Sequence, residues 1–129
     1  MARVLIVDDE EADRVVLRTI LERGGHEVFE ATDGDEAVEV YGGLDVDVVV
    51  TDLQMRNLHG LELITILRDY EPRPGIIAIS GTGEVQLDMA HMLCAMKTLT
   101  KPIVPDALLG AVADVLPATG SESGPATPA

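Results

Sequence analysis

Val4-Leu5-Ile6-Val7-Asp8-Asp9 is the stretch whose reading decides the fold. Four branched aliphatic residues in a row suit a strand buried on both faces, because a strand covered on one side alternates apolar with polar. Outward from it, short apolar runs alternate with amphipathic stretches. Val15, Val16, Ile20 and Leu21 mark a helical face that Gly24-Gly25 ends. Glu27–Ala31 reads as a second strand. Asp33 and Glu36 have capping-box spacing and open a short helix through Val38 and Tyr41, which Gly42-Gly43 breaks. Val46–Thr51 is expected as the third strand, followed by a loop from Asp52 to His59. A helix carrying Leu61, Leu63, Ile64 and Leu67 comes next. Pro72, Arg73, Pro74 and Gly75 are turn residues, Ile76–Ser80 reads as a fourth strand, and Gly81-Thr82-Gly83 as a mobile loop. A helix from about Val85 to Leu93, a short strand Thr98–Thr100 and a last helix Pro105–Leu116 complete the pattern.

Strands alternating with helices in this way predict an α/β fold, a doubly wound parallel sheet of five strands joined by right-handed crossovers. Such sheets bind ligands beyond the carboxyl ends of their strands. The residues expected there are Asp8 and Asp9, Asp52, Ser80, and Lys101 with Pro102. Carboxylates crowded within a few ångströms repel one another and raise one another's pKa. A hard divalent cation relieves this: Mg²⁺ takes oxygen ligands, keeps several waters and favours sites shared with phosphate. A lysine point charge and a hydroxyl donor suit the same chemistry. A central carboxylate can itself act as the nucleophile and form an acyl phosphate. The set therefore suggests metal-assisted phosphoryl transfer to Asp52.

The whole chain is consistent with one domain. It has 129 residues, 47% apolar and 25% charged, enough to bury roughly two thirds of the surface of the unfolded chain. Residues 1–116 are expected to form the domain. The Pro, Ala, Ser and Gly-rich stretch 117–129 is expected to be a disordered tail or a linker. Phe29, Tyr41 and Tyr70 are the aromatic residues, too few for a base-stacking platform. A formal net charge of -14 repels phosphate backbones and anionic lipid, so neither nucleic acid nor a membrane surface is expected as a partner. The lone Cys94 excludes an intramolecular disulfide or a cysteine-cluster metal site. Asp8 and Asp9 interrupt the first apolar run too early for a leader peptide, and no run approaches the ~20 residues of a membrane span. The expected location is the cytoplasm. His26, His59 and His91 lack metal-ligand spacing, and Met89, Met92 and Met96 read chiefly as core filling.

These residues resemble the receiver domain of bacterial two-component response regulators, of the chemotaxis-regulator-like kind, over residues 2 to about 116. The matching pieces are Val-Leu-Ile-Val-Asp8-Asp9-Glu10, Thr51-Asp52-Leu-Gln-Met, Gly60-Leu-Glu, Ile-Ser80-Gly and Thr100-Lys101-Pro102. The resemblance implies a flavodoxin-like strand order 2-1-3-4-5 and a phosphoacceptor at Asp52, loaded by a sensor histidine kinase or phosphotransfer protein. It implies Mg²⁺ held by Asp9, Asp52 and the backbone carbonyl of Gln54, with Asp8 acting through water. Lys101 would pair with the phosphoryl group, Ser80 would swing in to hydrogen-bond it, and the Lys101-Pro102 peptide would be cis. No outside substrate beyond the phosphodonor is implied, and the signal would leave by contact with an unknown downstream protein.

Departures from the family pattern bear on that output. Thr98 stands where an aromatic is usual, Arg56 where a proline is usual, and Ile103 where a phenylalanine is usual. Thr98 cannot fill an aromatic's pocket, and Arg56 places a cation near the phosphate. Phosphorylation is expected to survive, with a trigger or face of its own for output. The face made by the fourth helix, fifth strand and last helix is one candidate. A phosphatase of the haloacid dehalogenase type needs a second aspartate two residues after the first, where Glu10 stands. A flavin carrier needs a phosphate loop that Asp-Asp-Glu-Glu would repel. The remaining alternative is a receiver-like interaction module that works without phosphorylation.

Overall fold

Alternate side chains of the central strands leave for opposite faces, and both faces are dry. Val4, Ile6, Val48, Val50, Ile77 and Ile79 join one apolar cluster, while Leu5, Val7, Val49, Ile76 and Ala78 join the other. That two-sided burial is why the strands read as unbroken aliphatic runs. A computed structural model describes residues 2–53, 60–70, 73–80 and 97–116. Its elements are β1 (Arg3–Val7), α1 (Glu11–Arg23), β2 (Glu27–Ala31), α2 (Gly34–Gly43) and β3 (Val48–Asp52). They continue with α3 (Gly60–Leu67), β4 (Gly75–Ser80), β5 (Lys97–Thr100) and α4 (Pro105–Val115). The strands form one parallel sheet in the order β2-β1-β3-β4-β5, as expected.

The first face packs against Leu17, Ile20 and Leu21 of α1 and Leu108, Ala111, Val112 and Val115 of α4. The second packs against Ala37 of α2 and Leu63, Ile64 and Leu67 of α3, with Leu53 just beyond β3. Each leucine, isoleucine or valine among them, fully buried, contributes about 1.5–3 kcal/mol. The ring of Tyr41, near the end of α2, meets that of Tyr70 edge-on, with centroids 4.7 Å apart.

Two pairs of glycines that look alike in the sequence behave differently. After α1, Gly25 takes a φ of 89°, its N–H donates to Glu22 O and the N–H of His26 donates to Leu21 O. This is the Schellman arrangement, which a residue without Cβ adopts at no steric cost. Gly42 and Gly43, expected to break the second helix, instead form the last turn of α2. Gly25 is the positive-φ glycine among the described residues. A glycine in a right-handed conformation weakens a helix by about 1 kcal/mol without ending it.

The capping box also differs in detail. Asp33 Oδ1 accepts from the N–H of Glu36 at 2.8 Å, as its spacing predicts. The return bond goes one residue further back, from the N–H of Thr32 to Glu36 Oε1, and the Thr32 hydroxyl donates to the same oxygen at 2.8 Å.

The third strand begins at Val48 rather than Val46 and runs through Asp52, which had been expected to open the loop. At its start the Asp47 carboxylate, not a strand carbonyl, accepts the N–H of Arg3 at 2.9 Å. β4 and β5 each begin one residue earlier than expected, at Gly75 and Lys97, and the last helix ends one residue earlier, at Val115. The expected loop at 81–83, the expected helix at 85–93, Gln54, Arg56, Pro72 and the methionines at 89, 92 and 96 lie outside the described residues.

Candidate functional site

The strand order sets the carboxyl ends of β1, β3, β4 and β5 side by side. Asp8 follows β1 and is 1% exposed. Asp52 is the last residue of β3 and 5% exposed, and Ser80 is the last of β4 and fully buried. Lys101 follows β5, and its N–H donates to Ser80 O at 3.0 Å, which fixes the base of its side chain against β4. The peptide between Lys101 and Pro102 is cis.

The first turn of α1 completes this corner. Asp8 Oδ1 accepts the N–H of Glu10 at 2.9 Å, an Asx-type turn that starts the helix. Arg14 Nη1 donates to Asp8 O at 2.7 Å, while Arg14 Nε pairs with Glu30 at 3.0 Å. Arg14 thus ties the end of β1 to α1 and β2. The sequence gives no sign of this role, since an arginine in the first turns of an amphipathic helix carries no signal of its own.

Lys101 is the cation at the centre. Its Nζ lies 2.7 Å from Asp13 Oδ2, 3.2 Å from Asp52 Oδ2 and 3.7 Å from Asp8 Oδ2. Burial works against its charge, but hydrogen bonds from its ammonium to Asp13 and Asp52, with the nearby Asp8, outweigh this and raise its pKa. Asp8 moves from 3.8 to about 6. Burial is the main cause, opposed by the Glu10 N–H and reinforced by the Asp52 charge. Its Oδ2 is buried without a hydrogen-bond partner. Oxygens of Asp8, Asp13 and Asp52 all lie within 4.8 Å of one another. Asp8 and Asp52 thereby offer hard oxygen donors, one of them buried without a hydrogen-bond partner, that fit a small divalent cation, while Asp13 makes the shortest contact with Lys101.

The structure therefore brings together Asp8, Asp52, Ser80 and Lys101 from the residues singled out in the sequence. Asp9 is half-buried and lies outside the three clustered carboxylates, the third of which is Asp13, the ion-pair partner of Lys101. Thr98 is half-buried in β5, paired with Ala78. A cleft of about 450 Å³ opens beside Lys101 and is lined by Asp13, Val16, Leu17, Ile79, Pro102 and Ile103.

A doubly wound parallel sheet with acidic groups and a lysine at its carboxyl edge belongs to the open α/β domains that bind their ligands beyond the carboxyl ends of their strands. Comparison with known proteins narrows the class. Residues 4–113 match the response regulator receiver domain family, and the chain belongs to that family, the receivers of two-component systems. It is 35% identical over 112 residues to the chemotaxis protein CheY of Thermotoga maritima, covering 85% of this chain and 93% of that protein. It is 36% identical over 106 residues to the autoinducer 1 sensor kinase/phosphatase LuxN of Vibrio campbellii, covering 81% of this chain. The chain spans only 12% of LuxN. Among solved structures, the response regulator TrrA of Thermotoga maritima, in complex with Mg²⁺ and BeF, superposes with a TM-score of 0.82 at 28% identity. That match covers 90% of this chain and 100% of TrrA. Receivers of this kind are in general signalling modules rather than enzymes with outside substrates.

Proposed function

We propose that this chain is a Mg²⁺-dependent switch that accepts a phosphoryl group on Asp52. The observation that carries this reading is the position of Asp52, buried at the end of β3, 3.2 Å from the Lys101 ammonium and clustered with Asp8. An Asp52 carboxylate oxygen attacks phosphorus, and the bond from phosphorus to the donor breaks. The donor, a phosphohistidine imidazole or the acetate of acetyl phosphate, leaves with that electron pair. Lys101 holds the arriving phosphoryl oxygens by charge, and Ser80 offers them a hydroxyl. Asp8, Asp9, Asp52 and the backbone carbonyl of Gln54 would hold the metal. Bound Mg²⁺ supplies neutralisation of the charge on the phosphoryl group in flight.

The donor on this reading is a sensor histidine kinase or a phosphotransfer protein, met in the cytoplasm where ATP feeds the kinase. Residues 1–116 are the receiver, with 117–129 as tail or linker, consistent with a family match that ends at 113 and a last helix that ends at Val115. Output is a protein contact favoured by the conformation in which Ser80 and Lys101 hold the phosphoryl group.

The test is intact-protein mass spectrometry after incubation with acetyl phosphate and Mg²⁺. The expected result is a gain of one phosphoryl group that needs Mg²⁺ and is absent from Asp52→Asn. No gain from acetyl phosphate or from a panel of phosphorylated histidine phosphotransfer domains, with Mg²⁺ binding intact, would overturn the switch. The phosphorylation-independent interaction module would then stand.

A further inference from the structure

The shortest contact of Lys101 is not with Asp52. Its ammonium sits 2.7 Å from Asp13 Oδ2, against 3.2 Å from Asp52 Oδ2. Asp13 belongs to the first turn of α1, and its carboxylate lines the same cleft as Lys101. We propose that Asp13 is a positioning residue that withholds Lys101 from a phosphoryl group on Asp52 and so sets how tightly that group is held. The proposal rests on the reading that Asp52 carries the phosphoryl group and Lys101 grips it.

Asp13 and Asp52 share the donors of one ammonium. A lysine ammonium has three N–H donors on a flexible stem. Here the stem starts from a backbone bonded to Ser80 O, so the ammonium can swing only between groups within reach of that base. Charge-assisted contacts strengthen as they shorten, and the Asp13 contact is the shorter of its two hydrogen bonds. The Asp13 side chain is 31% exposed, whereas that of Asp52 is 5% exposed. Asp13 can therefore release the ammonium and turn to water, while Asp52 has no such outlet. A phosphoryl group raises the charge at position 52 to roughly -1.5 to -2. That charge draws Lys101 off Asp13, and the Asp13 contact is what the phosphoryl group must break.

The chain makes this measurable because Lys97 and Lys101 are its only lysines. Lysine-selective ¹³C/¹⁵N labelling thus yields two side-chain signals. Lys97, paired with Asp114 at 3.2 Å at the start of β5, serves as internal reference. Beryllium fluoride, a phosphoryl mimic, is titrated at saturating Mg²⁺ into wild type, Asp13→Asn, Asp13→Glu and Glu11→Gln, with binding followed by ¹⁹F resonance. Asp13→Asn is expected to move the resting Lys101 signal toward its fluoride-bound position and to lower the half-saturating concentration roughly two- to fivefold. Asp13→Glu restores most of the wild-type behaviour, and Glu11→Gln, which removes a charge from the same turn, changes neither. Should the asparagine variant fold poorly, Asp13→Ala carries the same expectation, alanine being the best helix former.

The proposal falls if Asp13→Asn leaves the resting Lys101 signal and half-saturation as in wild type. It falls equally if Glu11→Gln tightens binding as much, which would make the effect one of general charge. If fluoride binds but the wild-type Lys101 signal does not respond, the reading of Lys101 as the phosphoryl grip fails and takes this proposal with it. A Lys101 response identical in wild type and Asp13→Asn sinks the role of Asp13 alone.

Discussion

Asp8 shows what the site costs the fold. Its carboxyl is buried, one oxygen lacks a hydrogen-bond partner, and its pKa rises from 3.8 to about 6. Because the folded value lies above the unfolded one, the native state keeps a proton that the unfolded chain releases between pH 3.8 and 6. The stability this group contributes is fully present below pH 3.8 and is lost as pH rises through about 6. Asp8→Asn should therefore be more stable than wild type at pH 7 in EDTA, by about 1–3 kcal/mol in urea unfolding. The gap should close as pH falls from about 6 to 4, and equal stability at pH 7 would mean that Lys101 compensates the buried charge completely. At this scale the sequence was readable where a residue ends a strand, because topology alone delivers Asp8, Asp52, Ser80 and Lys101 to one edge. Asp13 was not readable. It sits in the acidic run Glu10-Glu11-Ala12-Asp13, and acids in a first helical turn are expected there for their interaction with the helix dipole alone. Its approach to Lys101 depends on the phase of α1 against a segment 88 residues away, which no local pattern encodes.

At the scale of elements, what was legible depended on how each end is made. Strands buried on both faces announced themselves as aliphatic runs, and Gly25 and Asp33 marked ends through specific backbone bonds. The ends of β3 and α2 were misplaced because the hydrogen bond that the Asp47 carboxylate accepts from Arg3 and the right-handed conformation of Gly42 and Gly43 are tertiary outcomes. Gly75 shows a further constraint invisible in the chain. Its neighbours in the sequence mark a turn, yet it opens β4, where a Cβ would lie 2.4 Å from Val115 O and 2.7 Å from Val115 Cγ2. The absent side chain lets the end of α4 lie directly on the start of β4. Backbone cannot retreat as a flexible side chain can, so Gly75→Ala should cost about 1–3 kcal/mol, the usual penalty of overpacking. Gly24→Ala meets Leu109 Cδ2 at 2.5 Å instead, a terminal methyl able to turn away, and should cost less. Thermal unfolding of the two variants checks the order, and a Gly75→Ala melting point at or above that of Gly24→Ala would refute this account of the β4–α4 contact.

On the scale of the whole molecule, a net charge of -14 bears on every ion experiment. Self-repulsion destabilises the compact state, so any added salt stabilises the chain somewhat by screening. No helix among the described residues is long and apolar enough to cross a membrane. On the proposed reading a divalent cation should do more than screen, because it would bind the folded arrangement of Asp8, Asp52 and their neighbours and not the unfolded chain. Binding to the native state alone stabilises by RT ln(1 + [L]/Kd), about 1.4 kcal/mol at ten times Kd. Mg²⁺ should therefore raise the melting temperature above that in NaCl of matched ionic strength, with the excess growing logarithmically. Asp52→Asn should keep the screening part and lose most of the excess. Asp8→Asn should start from a higher baseline and gain less, since the buried charge that Mg²⁺ neutralises is already gone. If NaCl reproduces the whole effect, or if Asp52→Asn keeps the excess, the stabilisation belongs to the acidic surface at large and the carboxyl edge of the sheet is not where the ion sits.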